Sequence, residues 1–158
     1  MSAAAGEVIR AAAGAGLTLA TAESLTAGML AAELAAVPGA SAVLQGGVVA
    51  YQNSVKNKVL GVDAGLLASA GSVDAGVARQ MAAGAREVLN AAVGISTTGA
   101  AGPEPHGGKP VGCVFIGIAT AEGTAAEEFH FEGGREAIRR QTCNEALLLL
   151  ARTISGRT

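Results

Sequence analysis

Three side chains have the chemistry to cleave an acyl bond: Ser24 in "TAESLTAG", Tyr51 closing "GGVVAY" and Lys56 in "NSVKNK". A serine hydroxyl becomes a nucleophile when a neighbouring base accepts its proton. A lysine in apolar surroundings loses its own proton near neutrality and can be that base. Where Ser24 stands, a short apolar run gives way to a helical pattern, and the unpaired amides and dipole of a helix start favour developing negative charge. Each residue also has a plainer reading. Serine is a preferred helix N-cap, lysine is ordinarily solvated, and the single tyrosine suits a wet rim. On spacing alone both readings stand.

Better-known machineries are excluded. Ala22 and Thr26 occupy the glycine positions of a GxSxG elbow around Ser24. Of the two histidines, His130 falls on the solvent side of an alternating strand and His106 on a Gly/Pro loop, so neither completes a Ser-His-Asp triad. A Walker-type phosphate loop ending at Gly108-Lys109 would need its first glycine at Pro103, and Pro110 replaces the hydroxyl residue. Tyr51 and Lys56 are not spaced as the Tyr-x-x-x-Lys dehydrogenase pair, and no strand leads into GxGxxG. Cys113 and Cys143 form no CxxC, so the usual zinc spacing is absent. They are read as free buried thiols of a cytoplasmic protein. Neither a metal nor a cofactor is expected.

Two segments suit an anionic ligand. "GAAGPEPHGGKP" (99–110) is a Gly/Pro-rich loop whose N–H groups could cradle phosphate or carboxylate, or that could be purely structural. "GGREAIRRQ" sets Arg135, Arg139 and Arg140 in the first turns of the last helix. Cations there oppose the dipole, which argues for a ligand or carboxylate partner; the alternative is a plain surface role.

These residues must be positioned by one domain of 158 residues, half apolar but only 3% aromatic, so the core is built from Ala, Val, Leu and Ile. Periodicity predicts helices over 4–13, 24–36, 74–89 and 135–153. It predicts strands over 17–21, 42–51, 91–99, 111–120 and 126–133. The glycine pair in the 42–51 strand implies a bulge or a close backbone approach, and 53–62 reads as short helix or irregular. In the 126–133 strand Phe129 and Phe131 face one way and His130 the other. Interleaved helices and strands favour an α/β sheet covered on both faces, with the hairpin-like last two strands making it mixed. A net charge of -2 without a basic stripe argues against nucleic acid. No apolar run is long enough to span a membrane, and Glu7 and Arg10 interrupt the first apolar stretch, so no leader is expected. Apolar, Ala-rich helices predict a homo-oligomer.

In order along the chain, "TAESLTAG" (21–28), "GGVVAYQNSVKNKVLGV" (46–62), "TTGAAGP" (97–103), "GGKPVGCVFIG" (107–117) and "GGREAIRRQT" (133–142) resemble the CinA C-terminal domain family of nicotinamide-nucleotide amidohydrolases. The resemblance covers nearly the whole chain. It implies a three-layer α/β/α sandwich with a mixed, mostly parallel sheet in an anticodon-binding-domain-like arrangement. The activity it implies is hydrolysis of the carboxamide of nicotinamide mononucleotide to nicotinic acid mononucleotide and ammonia. Ser24 would be nucleophile and Lys56 base, with Tyr51 orienting or relaying the proton. Glu23, Thr26, Gly28, Thr98, Gly99, Gly102, Pro103, Arg139 and Arg140 would bind a small nucleotide, the arginines and the Gly-Pro loop taking its phosphate. Amides near Ser24 and Thr26 would hold the oxyanion. A Ser-Lys amidase needs neither histidine nor metal, which tilts Ser24 from cap to nucleophile. Two departures stand out: Ala27 replaces the first glycine of the family's Thr-Gly-Gly, and "GPEPHGG" replaces its usual Gly-Pro-Asp-Gly. Family members also occur as C-terminal halves of longer proteins, whose N-terminal domain is not expected here. The alternative function is a non-catalytic nucleotide-binding or interaction domain on the same fold.

Overall fold

Leu19–Glu23 is a strand buried at every residue, and it organises the molecule. Called β1, it pairs in parallel with β2 (Leu44–Val49) on one side and β3 (Val93–Gly99) on the other. β4 (Cys113–Thr120) runs antiparallel to β3, and β5 (Gly123–His130) antiparallel to β4. The sheet order is β2-β1-β3-β4-β5, so β4 alone runs against the other four. The computed structural model describes residues 2–156.

Alternation along the strands sorts their residues between two helical layers. Leu19, Val93, Ile95, Val114, Ile116 and Ile118 face a core shared with α1 (Ala3–Ala15), α2 (Met29–Ala35) and α6 (Arg135–Ser155). On the other face, Ala20 and Ala22 meet Val77, Met81 and Ala85 of α5 (Ala75–Val88), with Leu67 of α4 (Ala64–Ala70). Small residues let α5 approach closely. A Cβ at Gly94 would land on the Ala82 carbonyl and one at Gly117 on that of Ala78. Ser96 donates its hydroxyl to the same Ala78 carbonyl at 2.6 Å. A core poor in aromatics is thus filled by bringing backbones together.

Most predicted elements fall within two or three residues of the observed ones, and three differences matter. The expected 24–36 helix begins only at Met29, after a turn over 24–28. α3 (Asn53–Lys58) is a regular helix, and α4 was not anticipated. β5 begins at Gly123, earlier than its alternation indicated. The glycine pair does both things expected of it. The β1–β2 register shifts between Leu19 and Ala20, and a Cβ at Gly47 would strike the Thr21 hydroxyl. Phe129 and Phe131 pack on the α6 side with ring centroids 5.3 Å apart, while His130 is exposed on the other.

Candidate active site

The parallel strands β1, β2 and β3 end together, and their C-terminal ends are where ligands bind in open α/β sheets. Ser24 follows β1, Tyr51 follows β2, and the Gly/Pro loop follows β3. A cleft of about 370 Å³ opens there, its wall including Ser24, Tyr51, Gly99, Gly102, Pro103 and Arg135.

Ser24 is not a helix cap. Its amide continues the ladder to Thr97 O at 2.9 Å, and its carbonyl accepts from Ala27 N in a tight turn. Ala27 holds that turn at φ 47, and Gly28, the residue before α2, at φ 99. The alanine therefore adopts the left-handed geometry that its family's glycine would favour, and it is exposed outside the cleft wall.

The N-terminus of α2 is instead held by Glu23, which is 1% exposed. Its Oε1 accepts from Gly28 N (3.1 Å), Leu30 N (2.9 Å) and the Thr26 hydroxyl (2.6 Å). Its Oε2 accepts from Ala31 N (3.0 Å) and the Thr21 hydroxyl (3.4 Å). A carboxylate at a helix N-terminus satisfies amides that would otherwise be orphaned. Saturated and buried, Glu23 lies beneath the turn and cannot meet substrate, contrary to the expectation from sequence. Thr26 is also buried, bonded to Glu23 and to the Thr97 hydroxyl at 2.8 Å. Thr98 is buried and donates to Ser72 O at 2.6 Å. Thr26, Gly28 and Thr98 support the cleft from behind rather than line it.

Lys56 reaches Ser24 from α3. It is 1% exposed, and its Nζ lies 2.9 Å from Ser24 Oγ, 2.8 Å from Ala50 O and 3.0 Å from Tyr51 O. Among the described residues it has no carboxylate partner. Burial lowers its pKa from 10.5 to about 8. A neutral amine has two N–H donors and one lone pair. With the two carbonyls taking the donors, the lone pair is left for the Ser24 hydroxyl. The contact is direct, so a proton relay through Tyr51 has no place in it. The Tyr51 carbonyl positions the lysine, while its hydroxyl accepts from Arg135 Nη2 at 2.8 Å.

The arginines divide differently from the reading of the sequence. Arg140 is exposed and paired with Glu136 at 2.9 Å, away from the cleft. Arg139 donates Nε to Leu25 O (2.8 Å) and Nη2 to Thr26 O (3.3 Å), bracing the turn that carries Ser24. Arg135 enters the cleft, donating to Gly102 O at 2.7 Å and to Tyr51, with no carboxylate partner among the described residues. Its signal in the sequence was its place one residue after Gly134, at the first position of α6. The departing loop residues Glu104, Pro105 and His106 also face the cleft, as do Gln52 and Asn53. The helix-start amides expected for an oxyanion are taken by Glu23. Those of Leu25 and Thr26 have no protein acceptor among the described residues.

The sequence and the fold are similar to those of known proteins. A CinA-like protein of Frankia casuarinae is 48% identical over 88% of this chain, which spans 32% of that protein's length. A putative competence-damage inducible protein of Desulforamulus reducens is 46% identical over 90% of the chain and 35% of its own length. The chain thus spans about a third of the curated relatives it matches. Among solved structures, a competence-damaged protein (CinA) superfamily protein of Klebsiella pneumoniae superposes with a TM-score of 0.93 at 31% identity, covering 97% of this chain and 96% of that one. A competence/damage inducible protein of Agrobacterium tumefaciens gives 0.91 at 35% identity, covering 96% and 93%. With the family model for the CinA C-terminal domain matching residues 1–154, the chain belongs to the CinA family through that domain.

Proposed function

We propose that the protein is an amidohydrolase that converts nicotinamide mononucleotide to nicotinic acid mononucleotide and ammonia. The observation that carries this reading is the buried Lys56 amine 2.9 Å from the Ser24 hydroxyl, with no carboxylate partner among the described residues. Ser24 Oγ attacks the carboxamide carbon as Lys56 accepts its proton, and the amide of Leu25, which lines the cleft, receives the oxyanion. Lys56 then passes that proton to the departing ammonia. Water hydrolyses the resulting ester, with Lys56 accepting the water's proton and returning it to Ser24. Arg135 and the Gly99–Pro103 loop take the phosphate. An unpaired guanidinium beside backbone groups in a cleft suits that charge.

The test is ammonia release from nicotinamide mononucleotide. Turnover by the parent and none by Ser24→Ala supports the amidase. Binding of the nucleotide without turnover would instead leave a non-catalytic nucleotide-binding domain on the same fold.

A further inference from the structure

Cys113 of β4 lies beside two residues of β5, Glu128 and His130. The antiparallel register of β4 and β5 places Cys113 directly opposite His130. Glu128 stands two residues before His130 and so projects from the same face of β5. A thiol sulfur, a carboxylate oxygen and an imidazole nitrogen from these three lie within 4.8 Å of one another. Among the described residues no other group of three such ligands comes so close. None of the three lines the cleft.

We propose that Cys113, Glu128 and His130 form a binding site for a borderline-soft divalent cation, with Zn²⁺ the best match. One sulfur, one nitrogen and one oxygen are the donor types of zinc sites with three protein ligands, whose fourth position goes to water or an outside donor. Ca²⁺ and Mg²⁺ favour sets made of oxygen alone, so the thiol and imidazole select against them.

The backbone prepares the site. Cys113 is 3% exposed on a strand paired on both sides, while Glu128 and His130 are 51% and 64% exposed. An ion would sit at the surface, with its softest ligand anchored in the sheet and its two exposed ligands, Glu128 and His130, over it. In the protein alone, His130 Nε2 and Glu128 Oε2 are 2.6 Å apart. Two ligands of one tetrahedral zinc stand about 3.3 Å apart, from bonds of about 2.0 Å, so a small side-chain rotation parts them. An exposed pair of that kind contributes little to stability and costs little to rearrange.

The site was invisible to motif spacing because its residues come from two strands and meet only through their pairing. Its occupation is independent of the proposed amidase reaction. The experiment titrates the full chain, freed of metal by a chelator, with Co²⁺ as a spectroscopic stand-in for Zn²⁺. The expected result is one Co²⁺ per chain with a thiolate-to-cobalt charge-transfer band, displaced by Zn²⁺. Cys113→Ser should abolish the band, whereas Cys143→Ser, changing the buried thiol of α6, should keep it. His130→Ala, an exposed change that cannot unfold the sheet, should weaken Co²⁺ binding at least roughly tenfold, since even supporting residues of metal sites are worth that much. Absence of the band in the parent, or binding unchanged in His130→Ala, would overturn the site.

Discussion

Lys56 Nζ lies 2.9 Å from Ser24 Oγ, joining residues 32 positions apart, one directly after β1 and the other on the helix α3 that follows β2. Two main-chain carbonyls, of Ala50 and Tyr51, fix the amine so that its remaining valence points at the serine. This pair is the chemical centre of the proposed reaction, and most of what can be tested follows from how it is held.

Replacing Lys56 by arginine keeps a cation but removes the base, because guanidinium does not deprotonate in proteins. Turnover should fall roughly 10²- to 10⁴-fold with much less change in nucleotide binding. In the parent, kcat/KM should rise with pH through about 8, where the lysine loses its proton, and then level off. Steady-state kinetics across that range decide it. A Lys56→Arg enzyme as fast as the parent means the amine is not the base.

The same lowered pKa makes stability depend on pH. Between about 8 and 10.5 the unfolded chain keeps the Lys56 proton that the folded one has shed. Folding stability should therefore rise with pH across that window, by roughly 3 kcal/mol for a shift of this size. Below the window the cost of burying the amine is constant. Urea unfolding of the parent and of Lys56→Met at a series of pH values isolates the effect. Parallel curves for the two proteins would contradict it.

Glu23 should matter more for the fold than its place beside Ser24 implies. Glu23→Ala strands the amides of Gly28, Leu30 and Ala31 at the start of α2, a loss of roughly 3 kcal/mol. Glu23→Gln retains one acceptor oxygen and should lose less. An unfolding midpoint unchanged by Glu23→Ala would show that the turn is held by something else.

Arg135 and Arg140 should separate cleanly. Arg135→Ala should weaken binding of the mononucleotide by roughly 1.5 to 3 kcal/mol, as for a charged hydrogen bond. It should barely affect nicotinamide riboside, which lacks the phosphate and should be a poor substrate throughout. Arg140→Ala should alter neither. Calorimetry on both ligands checks this, and equal losses from the two substitutions would remove Arg135 from the phosphate site.

Arg139 braces the turn from outside, through the carbonyls of Leu25 and Thr26. Arg139→Ala should lower kcat more than it raises KM, because it loosens the nucleophile and the amides beside it without touching the phosphate. A purely KM effect, read from saturation kinetics, would place the guanidinium on substrate instead.

The apolar runs along 91–99 and 111–120, and Asp74 ahead of an Ala-rich helix, marked β3, β4 and α5. Asp74 caps that helix as its type predicts, accepting from Val77 N at 3.1 Å. Such signals are local, carried by neighbours in sequence, and so are legible without a structure. Serine, tyrosine and lysine could likewise be named as candidates from their types and from the family motifs. Only the tertiary structure decided what each one does. Glu23, expected to bind substrate, instead caps α2, because the carboxylate folds back onto the amides at that helix start and leaves the Ser24 hydroxyl in the cleft. Arg135 replaced Arg140 because position around a helix, rather than membership of an arginine cluster, selects which cation faces the Gly-Pro loop. Lys56 is buried rather than a solvated cation because α3 turns its amine inward onto Ser24 and the carbonyls of Ala50 and Tyr51. Cys113 met His130 through strand register alone. Local preferences select elements, but a pKa, an ion pair or a ligand set depends on distances between elements, and those exist only once the chain has folded.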